Sequence, residues 1–360
     1  MKQQKWKSKS FALLLAIMMI FTMMPQMAFA DDTVAVPQEA DSVSGGERII
    51  VSSAAELAAL GGKELRGTVE LAAGIDMSKQ AMQPIKSLNG TFEGNGYTIS
   101  NLTLSGEATS TTWDAPNVGL GLIAQLNGTV QNLKLENVQI TSSSTSKIYA
   151  GAVVGMIEAA NASITNCAAT GSITLPENSS GNYAGGMIGM ITGSVDANAS
   201  VVIKNCVSNV AVSSGSYPGG IIGQAYMPYA SVNLNNCAVL GNVSITSSNG
   251  NGAGIIGWLY NAPVEAERVY FGGKITGGNN YGFAFNRSSS GRIIVNEVYY
   301  DKTQNRSGSS WSPFELYTIS NLTGTITGKP TEELKALTME GFTAGGAAFD
   351  NYPVPTWLTT

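Results

Sequence analysis

The chain has 360 residues, a formal net charge of −5, no histidine and three cysteines, and 12% of its residues are charged. Without histidine it cannot form a Ser-His-Asp triad, a Cys-His dyad or a histidine-ligated zinc site. The surplus of acidic residues disfavours a basic surface for nucleic acid, so no nucleic-acid partner is expected.

Residues 1–30 have the composition of a secretory signal peptide. Four basic residues precede an apolar run over residues 11–24, and an Ala-Phe-Ala sequence follows at residues 28–30 as the cleavage site. A membrane anchor is the alternative, but the run is shorter than about 18 unbroken apolar residues and Pro25 ends it. The segment predicts a secreted or extracellular protein that has no membrane span after signal cleavage. Association with the cell wall is an alternative within this prediction.

The next two regions are predicted to lead into the body of the fold. Residues 31–47 are polar and lack periodicity, which is typical of a flexible leader. Residues 48–117 are predicted to form an N-terminal cap and the first coils. A capping box at Ser53 and Glu56 opens a short helix there, and strand-like runs follow, separated by glycine and asparagine turns.

A 34-residue repeat occupies residues 118–301. Gly155, Gly189, Gly223 and Gly257 are spaced by 34 residues and each ends a similar phrase: AGAVVG, AGGMIG, PGGIIG or GAGIIG. The repeat contains short runs of β-formers without helical spacing, which favours stacked β-coils. We predict an all-β fold, a right-handed parallel β-helix (β-solenoid) with short helical caps at both ends, because only a stack lets such coils share a core.

The three cysteines occupy one repeat position, and an asparagine precedes each of them. An odd number of cysteines in an exported protein permits an intermolecular disulfide or a reactive thiol. Equivalent residues of stacked coils lie about 4.8 Å apart, however, which favours a buried column of free thiols. The asparagines are predicted to form a hydrogen-bonded amide ladder. The two structural ladders contain Cys167, Cys206 and Cys237, and Asn132, Asn166, Asn205 and Asn236.

Acidic residues gather in the last coils of the repeat. The group contains Glu265, Glu267, Arg268, Arg292, Glu297 and Asp301. Its preferred interpretation is a solvated charge network, and the alternative is catalysis or metal binding, for which Glu267, Glu297 and Asp301 are the weak catalytic candidates. No metal site and no cofactor are predicted.

Aromatic residues form two groups in the repeat. Tyr149, Tyr183 and Tyr217 lie six residues before their glycines and are predicted to stack as a column. The second group follows the glycines and contains Tyr226, Tyr229, Trp258 and Tyr260. Flat rings beside asparagine and serine suit sugar rings, so this group is the candidate binding site, with a stabilising ladder as the alternative. No charged residue occurs from Asn205 to Val264.

Residues 302–360 are predicted to contain a last coil, a cap with a short helix from Thr331 to about Leu337, and a proline-containing tail. Several phrases of the chain resemble the GLUG-motif repeats of bacterial surface proteins. They are GLIAQL, GAVVGM, GGMIGM, GGIIGQ and GIIGW, the run from Phe92 to Leu102, the Tyr-Tyr-Asp at residues 299–301 and the segment Thr331–Lys335. The resemblance implies an adhesin-like right-handed parallel β-helix that is secreted or lies at the cell surface.

These patterns predict a secreted or cell-surface repeat protein with a binding, adhesion or display role, with a glycan or another cell-surface component as partner. The alternative is a polysaccharide-active enzyme, a lyase or a glycoside hydrolase, on a β-helix scaffold. An enzyme is less favoured because the sequence contains no histidine and no convergent set of carboxylates outside the last coils. The sequence does not specify the oligomeric state.

Overall fold

A computed structural model describes residues 46–106, 119–144, 147–158, 161–177, 182–193, 199–227, 230–286, 292–305 and 322–359. The predicted signal peptide and most of the predicted leader lie outside the described residues.

The first elements form the N-terminal end of the stack. They are β1 (Arg48–Val51), α1 (Ala54–Ala58), β2 (Glu64–Leu71), β3 (Ile75–Asp76), β4 (Ser87–Glu93), β5 (Thr98–Ser100) and β6 (Thr103–Ser105). Helix α1 begins with the capping box, in which Ser53 Oγ accepts from the backbone N–H of Glu56 and the Glu56 carboxylate accepts from that of Ser53. Leu57 of this helix is fully buried in the main core, so α1 covers the first coils.

The repeat region continues with parallel strands. They are β7 (Gly119–Leu120), β8 (Ile123–Leu126), β9 (Thr129–Thr141), β10 (Tyr149–Gly151), β11 (Val154–Ile157), β12 (Ser163–Thr174), β13 (Tyr183–Gly185), β14 (Ile188–Thr192), β15 (Ser200–Lys204), β16 (Val207–Ser214), β17 (Pro218–Gly219), β18 (Ile222–Tyr226), β19 (Ser231–Val239), β20 (Val243–Ile245), β21 (Asn251–Ala253), β22 (Ile256–Tyr260), β23 (Val264–Phe271), β24 (Ile275–Gly277), β25 (Asn279–Tyr281), β26 (Ala284–Asn286) and β27 (Ile293–Asp301).

The last elements are β28 (Leu322–Thr323), β29 (Ile326–Lys329), α2 (Thr331–Lys335), β30 (Phe342–Ala344), β31 (Pro353–Pro355) and 3-10 turns at Ala347–Phe349 and Thr356–Leu358. Strands β30 and β31 pair antiparallel. Helix α2 therefore ends at Lys335, two residues before the predicted Leu337.

Each coil pairs in parallel with the coils before and after it. The strands β7, β10, β13, β17, β21 and β25 form one small sheet, and a second ladder runs through β8, β11, β14, β18, β22 and β26. A third ladder begins with β9 and β12. Strands β15 and β16 both pair with β12, and the ladder then continues through β19, β23 and β27. The register keeps repeat positions aligned, as in the pair Tyr149–Tyr183. The predicted parallel β-solenoid with short helices near both ends is confirmed.

The core lies inside the coils and is formed by equivalent apolar positions of successive repeats. Val153, Met187, Ile221 and Ile255 are at most 1% exposed, and their neighbours in sequence are also buried. Burial of each such side chain contributes about 1.5 to 3 kcal/mol relative to exposure. One coil alone would leave these positions in water, so the stack is the unit of stability.

The glycines of the 34-residue repeat are required by close backbone contact between two sheets. A Cβ on Gly189 would lie 2.4 Å from the backbone nitrogen of Ala150, and a Cβ on Gly257 would lie 2.2 Å from the carbonyl oxygen of Tyr217. Both distances are too short for any side chain, because the atoms in contact belong to the backbone. Close backbone packing at the corner of these coils therefore requires glycine, which explains the glycine repeat in the sequence.

Residues 331–359, which we call the C-terminal arm, lie along the side of the stack. Trp357 Nε1 donates to the carbonyl oxygen of Asn205 at 2.6 Å, and the Tyr270 hydroxyl donates to the carbonyl oxygen of Pro353. The arm covers an apolar strip on five successive coils. In coil order that strip is Ala168, Val207, Ala238, Tyr270 and Tyr299. The arm thus runs back from the last coil towards the middle of the solenoid.

Candidate functional site

The predicted aromatic groups form one continuous array on the outside of the stack. Tyr149, Tyr183 and Tyr217 stack with ring centroids 5.6 and 5.4 Å apart, and Tyr217 stacks on Trp258 at 4.5 Å. Trp258 contacts Tyr260 edge-on at 5.8 Å. The column and the candidate binding group, separate in the sequence, are therefore in contact in the structure.

Exposure increases along this array. Tyr149 and Tyr183 are 3% and 2% exposed, whereas Tyr226 at the other end is 37% exposed. Tyr226 and Tyr260 are register partners on β18 and β22, with centroids 5.5 Å apart. We call Tyr226, Trp258 and Tyr260 the aromatic platform. The fourth predicted binding residue, Tyr229, lies outside the described residues.

Burial keeps the inner end of the array uncharged. Desolvation, assisted by the nearby Glu158 carboxylate, raises the pKa of Tyr149 to about 12, and burial also raises the pKa of Tyr183. Both phenols are therefore neutral at physiological pH. Within the platform, Trp258 Nε1 is buried and has no hydrogen-bond partner among the described residues.

The weak catalytic candidates do not converge on a shared cavity. Asp301 is fully buried, and its carboxylate accepts from the backbone N–H groups of Thr303 and Gln304 at 2.8 and 3.0 Å and from the Tyr352 hydroxyl at 2.9 Å. These three donors give Asp301 a structural task, which is to fix a turn and anchor the C-terminal arm.

The other two acids lie at the corner of the last coils. Glu267 forms an ion pair with Arg268 and accepts from the Asn235 amide at 2.9 Å. Glu297 is exposed and has a φ of 52°, the same left-handed conformation as the ladder asparagines. The Glu267 carboxylate is thus held by an ion pair and an amide hydrogen bond.

The predicted asparagines form a hydrogen-bonded ladder with one direction. Asn236 donates to Asn205, Asn205 to Asn166 and Asn166 to Asn132, with Nδ2–Oδ1 distances of 3.1, 2.9 and 2.9 Å. All four have φ between 52° and 54°, a conformation that asparagine tolerates well.

Charged residues end this ladder on both sides, which sequence reasoning missed. Asn132 Nδ2 donates to the Glu93 carboxylate at 3.0 Å, and Arg268 Nε donates to Asn236 Oδ1 at 2.6 Å. An acceptor-only carboxylate therefore lies at the donor end and a donor-only guanidinium at the acceptor end. Arg268 could have been found from the sequence, since it precedes Val269, the residue aligned with the cysteines.

A second, shorter ladder lies in the first coils. Asn137 donates to Asn101 at 2.7 Å, and Asn101 donates to the Asp76 carboxylate at 2.8 Å. The Asn101 amide is the first cause, and the N–H and hydroxyl of Ser78 are further causes, of the lowered pKa of Asp76. Both ladders thus end on a carboxylate group.

The three thiols lie inside the core. Cys167, Cys206 and Cys237 are each 0% exposed and are free cysteines. Burial is the first cause of the raised pKa of Cys206 and of Cys237, so both remain protonated thiols at neutral pH. A buried, protonated thiol is a poor nucleophile.

The described part of the chain contains no cluster of three or more acidic, cysteine or histidine side chains placed to hold a metal ion. It also contains no helix with the length and apolar character needed to cross a membrane.

Comparison with known proteins supports the architecture. The chain is similar to the crystal structure of a putative immunoglobulin A1 protease from Bacteroides ovatus, with a TM-score of 0.60 and 18% identity over 86% of this chain and 92% of that chain. At this identity the likeness shows the fold alone. No protein-family model and no curated protein matches the chain. The fold class that emerges is the parallel β-solenoid.

Proposed function

We propose that this protein is an exported, GLUG-type β-solenoid that binds glycans or another cell-surface component. The observation that carries the proposal is the aromatic platform, where a buried aromatic array reaches the surface at Tyr226. The signal-peptide pattern of residues 1–30 supports export, and the resemblance to GLUG-motif repeats supports a surface role.

The chemistry around the platform favours an uncharged ligand. The platform lies within residues 205–264, which contain no charged side chain. Affinity there would come from stacking of sugar C–H faces on the rings and from amide and hydroxyl hydrogen bonds, each contributing about 1 kcal/mol. Binding should therefore be weak per site and nearly independent of salt.

A glycan array tests this proposal on the purified protein. We expect Trp258→Ala combined with Tyr226→Ala to abolish binding to the hits, because two of the three platform rings are lost. Tyr97→Ala is the matched control, since Tyr97 is an exposed ring (40%) outside the platform. Binding that survives the double substitution, or that collapses when salt is raised, would contradict the platform.

Export has its own test. Expression of the full chain with its first 30 residues should place the protein outside the cell, with Asp31 as the new N-terminus. N-terminal sequencing of the secreted material measures this directly. Retention in the membrane with an intact Met1 would instead support the anchor alternative.

A further inference from the structure

The C-terminal arm and the side of the solenoid enclose a cleft of about 400 Å3. The coils supply Asn209, Asn242, Lys274 and Gln304, and the arm supplies Ala348, Phe349, Asp350 and Tyr352. This volume falls in the range of small-molecule sites, about 300 to 1,000 Å3. The cleft exists only while the arm is docked, because one of its walls is the arm.

Unused hydrogen-bonding groups converge on the cleft from the coil side. The Asn209 and Gln304 amides and the Lys274 ammonium have no side-chain hydrogen bond or ion pair with any described residue. Asn242 uses only its Oδ1, which accepts from the Lys274 backbone N–H at 2.9 Å. Its NH2 group stays available, so three amides and one ammonium can serve a ligand.

The arm side of the cleft is aromatic and fixed in place. Tyr352 is 6% exposed, and its hydroxyl donates to Asp301 at 2.9 Å while Lys335 lies 5.2 Å from its ring centroid. Gly272 is needed for this position, because a Cβ there would lie 2.8 Å from Cε1 of Tyr352. The wall is therefore formed before any ligand arrives.

The charges of the cleft nearly balance. Among the described residues that line the cleft, Lys274 carries the positive charge and Asp350 the negative one, and Asp350 also pairs with Lys335 at 2.9 Å. Both lining side chains are exposed, so water screens their charges and a charged ligand gains little from either. Amide groups both donate and accept hydrogen bonds, and ammonium and carboxylate groups also bind hydroxyls. This set of groups matches the hydroxyl-rich rim of a sugar.

We propose that this cleft is a binding site for one neutral sugar residue, separate from the aromatic platform. The residue's hydroxyls bond to Asn209, Asn242, Lys274 and Gln304, and its apolar face lies towards Phe349 and Tyr352. Because the site includes the arm, occupancy also stabilises the docked arm.

Saturation-transfer NMR with a panel of neutral monosaccharides at about 10 mM tests the site on the purified protein. We expect at least one sugar to bind, and Asn242→Ala combined with Lys274→Ala to weaken its binding about thirtyfold, as loss of two hydrogen bonds implies. Asn296→Ala combined with Lys204→Ala is the control, since it removes an exposed amide and an exposed lysine elsewhere.

A second variant blocks the cleft without removing a hydrogen bond. Ala348 is exposed and lines the cleft, so Ala348→Phe should fill it and abolish binding while thermal unfolding stays near that of the parent protein. Binding that persists in both cleft variants, or absence of any bound sugar in the panel, would overturn the proposal. Loss of binding in Trp258→Ala instead would assign the sugar to the platform.

Discussion

Replacing Asn166 by alanine would remove the middle of the asparagine ladder. Asn166 accepts from Asn205 and donates to Asn132, both at 2.9 Å. The substitution removes two hydrogen bonds and places alanine at a φ of 52°. It leaves the core unchanged, because the Asn166 side chain lies at the corner of its coil.

The expected magnitude follows from these two effects. Each lost side-chain hydrogen bond costs about 1 kcal/mol net, and alanine in the left-handed region costs about 1 kcal/mol more than asparagine. We therefore expect Asn166→Ala to lower the free energy of unfolding by about 3 kcal/mol.

Glu297 provides a matched control at the same corner. It has the same φ of 52°, but its side chain forms no hydrogen bond or ion pair with another described residue. Glu297→Ala should leave the free energy of unfolding nearly unchanged. Glycine separates the effects further: Glu297→Gly should stabilise by up to about 1 kcal/mol through relief of φ strain, whereas Asn166→Gly should destabilise by about 1 to 2 kcal/mol.

Urea unfolding monitored by circular dichroism measures all four variants, compared through midpoints at constant m. The two glycine variants should move the midpoint in opposite directions. If Asn166→Ala costs less than about 1 kcal/mol, or no more than Glu297→Ala, the ladder contributes little and the reasoning is refuted.

Three further predictions concern the thiols, the C-terminal arm and pH. Thiol titration should detect no reactive cysteine in the native protein and three after denaturation without reductant, because Cys167, Cys206 and Cys237 are buried and free; fewer than three would reveal a disulfide. Tyr352→Phe should weaken docking of the C-terminal arm by about 2 kcal/mol, because the hydrogen bond to Asp301 is lost. Hydrogen exchange over residues 331–359 should become faster. Unchanged exchange would contradict the role of Tyr352 in anchoring the arm. Tyr149 has a raised pKa of about 12, so its stabilising effect should be complete below about pH 10 and be lost as the pH rises to about 12. The phenolate absorbance that Tyr149→Phe removes should appear near pH 12 in the folded protein, and its appearance near pH 10 would contradict the burial of Tyr149.

The periodic part of the fold could be predicted from the sequence. The 34-residue spacing of Gly155, Gly189, Gly223 and Gly257 reports a contact that four successive coils repeat, so four copies of one physical requirement are visible in the chain. The same holds for the ladder asparagines. Arg268 and Glu297 occupy the same corner position in the next two coils. Because they differ in residue type from asparagine, a pattern of repeated asparagines does not reveal them.

The C-terminal arm could not be predicted in the same way. Its contacts join residues far apart in sequence, such as Trp357 with Asn205 and Tyr270 with Pro353, and each occurs once. A single long-range contact leaves no period in the sequence. The proposed sugar cleft escaped the sequence for the same reason, since Lys274 and Phe349 meet only through the docked arm.

The direction of the asparagine ladder has a consequence for the number of coils. Each asparagine gives one hydrogen bond to the coil before it and takes one from the coil after it, so a duplicated coil inserted between Glu93 and Arg268 would keep every bond of the ladder. Deleting one whole coil would do the same. Glu93 cannot donate and Arg268 cannot accept, so these two residues end the series chemically. Copy number can therefore change in whole coils while both ends of the ladder remain closed.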